Sequence, residues 1–258
     1  MDCGFNDQLR KRFDKLIEET DFNEHRRESI GTYKEKTVHL FLKNLFEPDG
    51  NYHEIPVGSY IADIKNPNGI IEIQTAKFSA VYSRWSFFSD NYPLTVVYPI
   101  AGIKNLVWIN PEDGSVSKKR KSPKNGSPLD ILPELSLVRE LYLKENILFK
   151  CVIMEVSEYR FQDGWGNNGK RGSHRYDVIP ERLIDIVDLR TANDICNLLP
   201  IDPNKEYLSS DFRKMMKFPR ASSRSLSLAL KFLMHIGVIE RVGKKGNAYL
   251  YRKCDDEW

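Results

Sequence analysis

The chain has 258 residues, 41% of them apolar, and a formal net charge of +3, the composition of an ordinary soluble protein with apolar residues enough for one large core or two modest ones. No apolar run approaches the roughly eighteen residues of a membrane span, and residues 1–12 lack the basic-then-apolar order of a signal peptide, so a cytoplasmic protein with no membrane contact is expected. Cys3, Cys151, Cys196 and Cys254 have no Cys-x-x-Cys spacing, which suggests neither a zinc site nor a disulfide framework.

Apolar periodicity predicts an amphipathic helix over 6–20 and a second over 32–46, where Val38, Leu42 and Leu45 share a stripe and Pro48, Asp49 and Gly50 stop it. Short extended segments follow at 53–57, 60–65 and 70–75, the last two joined by the turn Asn66-Pro67-Asn68-Gly69. Residues 76–91 carry helical spacing through Phe78, Val81, Tyr82, Trp85 and Phe88; 94–100 and 106–110 read as buried strands. Tyr82, Trp85, Phe87 and Phe88 are expected to pack the sheet rather than stack on bases. The basic, Gly/Pro/Ser-rich 115–128 reads as a mobile loop, 129–145 as a helix, 147–161 as a long strand, 164–172 as a glycine-rich loop and 175–179 as a further extended run. Past about 189 the pattern changes to three short helices, 192–199, 209–217 and 222–236, and a hairpin of 238–242 with 248–253. Two domains are therefore expected, 1–189 and 190–258.

Charge divides at nearly the same place. From 213 to 253 there are eleven Lys or Arg residues against one acid, Glu240, whereas the remainder carries 28 basic and 35 acidic residues. A basic module attached to a mildly acidic one is the electrostatic footprint of nucleic-acid binding, because phosphate neutralisation supplies most nonspecific affinity. A merely solvated basic surface is the competing explanation.

Two polar surprises sit inside the strand meander. In 70–75 the two-residue repeat puts Glu72 and Gln74 on one face and Ile71 and Ile73 on the other. Asp63 lies on the preceding strand, near the mouth of the same hairpin. Carboxylates on adjacent strands repel unless a cation bridges them, and Mg²⁺ (or Mn²⁺) suits a site of few carboxylates and several waters. A solvent-facing strand of an antiparallel sheet is the plain alternative.

Asp63 followed by Glu72-Ile73-Gln74 resembles the PD-(D/E)XK nuclease superfamily, which has an Asp at the end of one strand and Glu-x-Lys on the next, flanked by helices. The resemblance covers about residues 32–110. It implies a restriction-endonuclease-like α/β (α+β) fold, a mixed sheet flanked by helices, and a metal-dependent endodeoxyribonuclease, with a restriction or phage-defence role as a possible setting. It also implies roles: Asp63 and Glu72 as metal ligands, Glu35 as a supporting carboxylate from the preceding helix, and Gln74 positioning the attacking water. The departure is Gln74 in place of Lys, since a neutral amide positions a water but does not stabilise hydroxide by charge. Some restriction endonucleases of the superfamily carry Glu-x-Gln, and Lys77 offers an alternative charge reaching inward. His39, four residues after Glu35, either joins the site or caps a core; His53 and Glu54 are weaker candidates.

The C-terminal pattern resembles a winged helix-turn-helix over about 191–254. The third helix has an apolar stripe of Leu226, Leu230, Leu233 and Ile236, with Arg220, Ser223, Arg224, Ser227 and Lys231 on the side facing DNA. Gly237 is the expected C-cap, and Gly243–Asn247 a short basic wing presenting Lys244 and Lys245. Double-stranded DNA is the expected partner and a homodimer an open possibility. A noncatalytic DNA-binding regulator that retains the nuclease scaffold, or an RNA-directed enzyme, would share much of this pattern.

Overall fold

The computed structural model describes residues 3–20, 37–75, 77–162, 173–218 and 223–254. Two helices come first, α1 (Cys3–Glu19) and α2 (Thr37–Phe46). Leu9 and Phe13 of α1 and Phe41, Leu42 and Leu45 of α2 are buried at the three- and four-residue spacings that put side chains on one helix face. Phe13 and Phe41 meet edge to face at 4.8 Å. Helix α2 stops before Pro48, whose ring disfavours helical backbone in the residue preceding it.

The meander follows as β1 (His53–Val57), β2 (Tyr60–Asn66) and β3 (Gly69–Ile73). Then come α3 (Tyr82–Asn91), β4 (Leu94–Ile109), β5 (Arg120–Lys121), the short helices α4 (Leu132–Leu135) and α5 (Arg139–Tyr142), and the long strands β6 (Ile147–Phe161) and β7 (Arg175–Leu189). They build one mixed sheet in the order β1-β2-β3-β4-β6-β7, with β5 paired to β4. Pairing is antiparallel through β1-β2-β3, parallel from β3 to β4 and from β4 to β6, and antiparallel again from β6 to β7.

Both faces of this sheet are covered. Neighbouring strand residues point to opposite sides: Ile70 and Val96 join a cluster with Trp85, Phe88, Phe149 and Leu132, whereas Ile73 and Val97 join one with Phe13, Leu42 and Val152. Where β3 lies between these two apolar layers the sheet has no free face, so this strand does not alternate with solvent.

Several sequence expectations are corrected. Residues 94–109 form one strand, where two over 94–100 and 106–110 were expected, because β6 pairs with β4 along nearly its whole length. The helix expected over 76–91 begins only at Tyr82, after a 3₁₀ turn at Phe78–Ala80; Trp85 and Phe88 pack fully inside, but Tyr82 and Phe87 are exposed. The helix expected over 129–145 is broken into short turns; Pro133, tolerated in a first turn, lacks the N–H that would continue the preceding one. The extended run at 175–179 belongs to the fifteen-residue β7. Within the basic segment 115–128, Arg120 and Lys121 pair with β4, Lys119 bonds Glu181, and Ser122 is buried.

The remaining elements are α6 (Ala192–Cys196), β8 (Tyr207–Leu208), α7 (Ser209–Met215), α8 (Ser223–His235), β9 (Ile239–Lys245) and β10 (Ala248–Lys253). Thr191 and Asp194 cap α6 reciprocally, the Thr191 N–H donating to Asp194 at 2.8 Å and the Asp194 N–H to Thr191 Oγ1 at 3.3 Å. A second sheet runs β8-β10-β9; the two-residue β8 is too short to leave a periodic signature. Gly237 has φ +73°, and the Val238 N–H donates to Leu233 O at 2.9 Å, the left-handed C-cap expected there. Phe232 of α8 meets Tyr142 of α5 edge to face at 5.1 Å, and the apolar cluster around Trp85 and Phe149 continues without a break into Phe212, Leu226 and Leu233.

Candidate active site

Asp63 and Glu72 face each other across β2 and β3. The backbone ladder pairs Asn66 with Gly69, Lys65 with Ile70 and Ile64 with Ile71, and ends there. At the next position side chains replace the backbone bonds. The Asp63 N–H donates to Glu72 Oε1 at 3.1 Å, and the Ile73 N–H donates to Asp63 Oδ2 at 2.7 Å. The two carboxylates thus lock the hairpin end from inside.

Each carboxylate has a cationic or N–H partner from a different helix. His39 Nε2 of α2 lies 3.2 Å from Asp63 Oδ2, so of the two roles open to His39 it takes the one in the site. From α3, Trp85 Nε1 donates to Glu72 Oε2 at 3.2 Å, and Arg84 Nη2 is 2.5 Å from the same oxygen. The Arg84 Nε is buried with no hydrogen-bond partner among the described residues. Glu72 is 1% exposed and Gln74 6%, which overturns the solvent-facing alternative for this strand.

Burial and then the negative charge of Asp63 push the Glu72 carboxyl up to about 7, against the opposing pull of Arg84, the Asp63 N–H and Trp85. Burial acts upward on Asp63 too, but the His39 hydrogen bond and charge, the Ile73 N–H and Arg84 outweigh it, and its carboxyl sits below the ordinary value. One carboxylate is held ionised while its neighbour is driven toward the neutral form.

The raised Glu72 carboxyl makes stability depend on pH. A carboxyl whose folded pKa is raised favours folding most when protonated, so the contribution of Glu72 is present below about 4.5 and lost as pH rises through about 7. Urea unfolding between pH 4.5 and 8 is expected to show this loss, on the order of 3 kcal/mol if Glu72 titrates alone, and Glu72→Gln is expected to flatten it. An unchanged profile in the variant would mean that Glu72 stays ionised beside Arg84 throughout. Asp63 acts in the opposite sense, its contribution being lost only as pH falls below the ordinary range of an aspartate.

Gln74 directly follows β3, which ends at Ile73, one residue short of the expected strand position, and is buried. Its N–H donates to Val97 O at 2.9 Å and its Nε2 to the Lys77 carbonyl at 3.2 Å, closing the turn that leads into α3. The suggestion that the Lys77 side chain reaches inward is corrected, since that side chain is exposed and the group meeting Gln74 is its backbone carbonyl. His53 Nε2 contacts Glu47 O at 2.8 Å and Glu54 pairs with Lys43 at 2.6 Å; neither reaches the carboxylate pair. Glu35 lies outside the described residues. Among the described residues no three His, Cys, Asp or Glu side chains converge to hold a metal ion; Asp63 and Glu72 stand as a pair.

Arg84 was not legible as a site residue. Its neighbour Trp85 falls on the apolar stripe of the helix, but only the return of α3 across β3 puts the guanidinium on a carboxylate nine strand-and-turn residues from Asp63.

The candidate DNA-facing residues cluster as expected on α8. Ser223, Arg224, Ser227 and Lys231 are exposed, and Leu226, Leu230 and Leu233 are buried. Ile236 is buried just beyond the helix end. Arg220 lies outside the described residues. Between α8 and the β9–β10 hairpin is a cavity of about 390 Å³ lined by Ser223, Ser227, Lys231, Arg241 and Tyr249. Arg241 and Lys244 both sit over the Tyr249 ring, 4.7 and 4.9 Å from its centroid, a pairing that brings two cations to one aromatic face. The expected five-residue wing is shorter, because β9 runs through Lys245 and pairs it with Ala248. Gly246 takes φ +60° to make the remaining turn, and Lys244 and Lys245 are exposed strand residues.

Residues 36–190 match the family described as "Domain of unknown function (DUF8091)", a segment that ends one residue past β7. An "Uncharacterized protein" of Treponema pallidum (strain Nichols) is similar to this chain, 25% identical over 232 residues that make up 87% of this chain and 88% of that protein. No solved structure matches.

Proposed function

The chain belongs to the DUF8091 family, and for it we propose a metal-dependent DNA endonuclease of the PD-(D/E)XK type joined to a winged-helix DNA reader. The observation that carries this is the pair of carboxylates opposed across one hairpin, Asp63 partly buried and Glu72 buried, with the Glu72 carboxyl driven up by its burial and then by Asp63. Supporting it is the order of elements: helix α2, strands β1 to β3 antiparallel, helix α3, then β4 parallel to β3, with Glu72 on the strand that precedes α3 and Gln74 directly after it.

Asp63 and Glu72 offer a divalent cation two carboxylate donors, and it would take the place that Arg84 holds on Glu72. Asp63 and Glu72 would hold it, with Glu35 as a supporting carboxylate. When bound, Mg²⁺ or Mn²⁺ supplies an acidified water and charge neutralisation at the scissile phosphate. His39 fixes the Asp63 carboxylate and keeps it ionised. Gln74 orients a water through its amide, for which it must let go of the Lys77 carbonyl. Arg84 must yield Glu72 Oε2, and its freed guanidinium then faces the phosphate. The exposed cations of α8 and the hairpin deliver duplex DNA, α8 entering the major groove and the hairpin lying on the backbone. Among the described residues no helix is long and apolar enough to cross a membrane.

One pair of contacts favours a second reading, a DNA-binding regulator built on a retired nuclease scaffold. Arg84 already neutralises Glu72, and the Gln74 amide is engaged by Lys77. Incubation of supercoiled plasmid with the purified protein separates the two. Nicking in Mg²⁺ or Mn²⁺ that EDTA abolishes is the expected result. Retained DNA binding with no cleavage in any metal would establish the regulator instead.

A further inference from the structure

The edge of β4 that faces β3 is interrupted. Strand β3 ends opposite Val97 and β5 begins opposite Asn105, so among the described residues β4 has no strand partner on that edge from Tyr98 to Lys104. Pro99, which has no N–H to give a neighbour, stands in this stretch, as expected of a strand edge. Two cavities, of about 380 and 440 Å³, flank it, and residues 98–101 with Lys104 line both. The first also takes in Thr75, which directly follows Gln74, and Val38, which directly precedes His39. The second reaches Lys217 and Phe218 of the C-terminal unit. The two share the wall formed by residues 98–101 and Lys104, and together they form a groove that runs from residues adjoining the carboxylate site, with neither Asp63 nor Glu72 in its lining, to the foot of α7.

Lys124 and Lys217 are exposed in the second cavity and Arg175 in the first. Of the acids beside them, Glu158 is ion-paired with Lys104 at 2.7 Å and with Arg160, while Asp177 accepts from Thr37 and Asp130 from the Ser127 N–H at 3.1 Å. Tyr98 is half-buried where the cavities meet, its ring edge-on to Phe78 at 5.5 Å. The wall carrying Lys124 is fixed to the strand, because the Gly126 N–H donates to Ala101 O at 2.9 Å and a Cβ at Gly126 would lie 2.8 Å from that oxygen. Lys217 has φ +53° at the end of α7, a position where glycine costs nothing and a lysine is strained.

We infer that this groove takes single-stranded DNA, its phosphates on Lys124, Lys217 and Arg175 and its bases against Tyr98, and leads that strand from the C-terminal unit to Thr75, just past the end of the strand that carries Glu72. Each cavity has the size of a small-molecule site, room for nucleotides one at a time and not for a double helix. Cations that track a backbone beside an aromatic platform are the means by which single strands are held without sequence readout. The inference rests on the nuclease reading for the groove's destination, and narrows its substrate to DNA with an unpaired segment.

The test is fluorescence anisotropy of the full chain in EDTA, with a labelled blunt duplex and the same duplex carrying an overhang of about eight nucleotides at the 5′ or 3′ end. One overhang is expected to bind about tenfold tighter than the blunt duplex. Lys217→Gly, which keeps the left-handed turn, and Lys124→Glu should each bring the two affinities close to parity while leaving blunt-duplex binding unchanged, and shallow the salt dependence by about 0.7 for each phosphate no longer neutralised. Equal binding of blunt and overhung DNA, a preference that survives both substitutions, or displacement of the DNA overhang by an RNA one would overturn the assignment. Overhang preference without metal-dependent cleavage leaves the groove standing and removes the nuclease; cleavage without overhang preference does the reverse.

Discussion

Asp63→Asn and Glu72→Gln are each expected to lower Mg²⁺-dependent DNA cleavage by about 10²–10³-fold, the loss typical of removing one preorganised charge from a polar active site, while DNA binding is unchanged. Both replacements keep the shape and the ability to accept the N–H bonds from Ile73 and Asp63 that lock the hairpin. What they remove is the negative charge a divalent cation needs. Binding should survive because the exposed cations of α8 and the hairpin belong to the other sheet. Glu72→Gln carries a structural cost as well: one amide end must face Trp85 Nε1 or Arg84, donor against donor, at roughly 1–3 kcal/mol. Circular dichroism and an unfolding curve therefore accompany the assay. Equal cleavage by wild type and both folded variants would place the activity elsewhere, and loss of cleavage only where binding is also lost would point to the reader and not to the carboxylates.

The second large effect concerns how the two units are joined. Phe232→Ala is expected to cost about 3–5 kcal/mol and to lower the Tm by about 10 °C, with thermal unfolding remaining a single transition. Phe232 is fully buried against Tyr142, whose hydroxyl donates to Thr191 O at 2.7 Å. The contact thus couples α5, the start of α6 and the α8 helix. Because the apolar cluster runs from Trp85 and Phe149 through Phe232 to Tyr251 without interruption, removing this ring loosens both sheets together. Calorimetry resolving two transitions, with the substitution moving only one, would show that 190–258 unfolds independently of 1–189.

Local pattern determined a good deal here. Strand alternation placed Glu72 and Gln74 on one face, and proximity in a hairpin placed Asp63 beside them, because a two-residue repeat and a four-residue turn fix geometry over a few ångströms. The same locality made α8 legible: Leu226, Leu230 and Leu233 inside, Ser223, Ser227 and Lys231 outside, Gly237 at the end. Charge segregation along the chain also survives as a surface, since exposed lysines have nowhere to be but solvent.

What only the tertiary structure decided is which groups neutralise the pair and where the strands end. The repulsion between Asp63 and Glu72 argued for a bridging cation, and two protein groups stand there instead, the His39 imidazole from α2 and the Arg84 guanidinium from α3. Neither assignment follows from spacing, because each depends on how a helix crosses the sheet after a chain reversal. Strand length was misjudged for a related reason. Residues 94–109 and 175–189 are long because they pair with β6, and pairing between residues 15 to 53 positions apart leaves no periodic trace at the turn-like residues Pro99, Gly102 and Pro180 that interrupt them. The gap beside β4 that lines both cavities is likewise invisible along the chain: it exists only because β3 stops at Ile73 and the antiparallel β5 ends at Lys121, opposite Asn105.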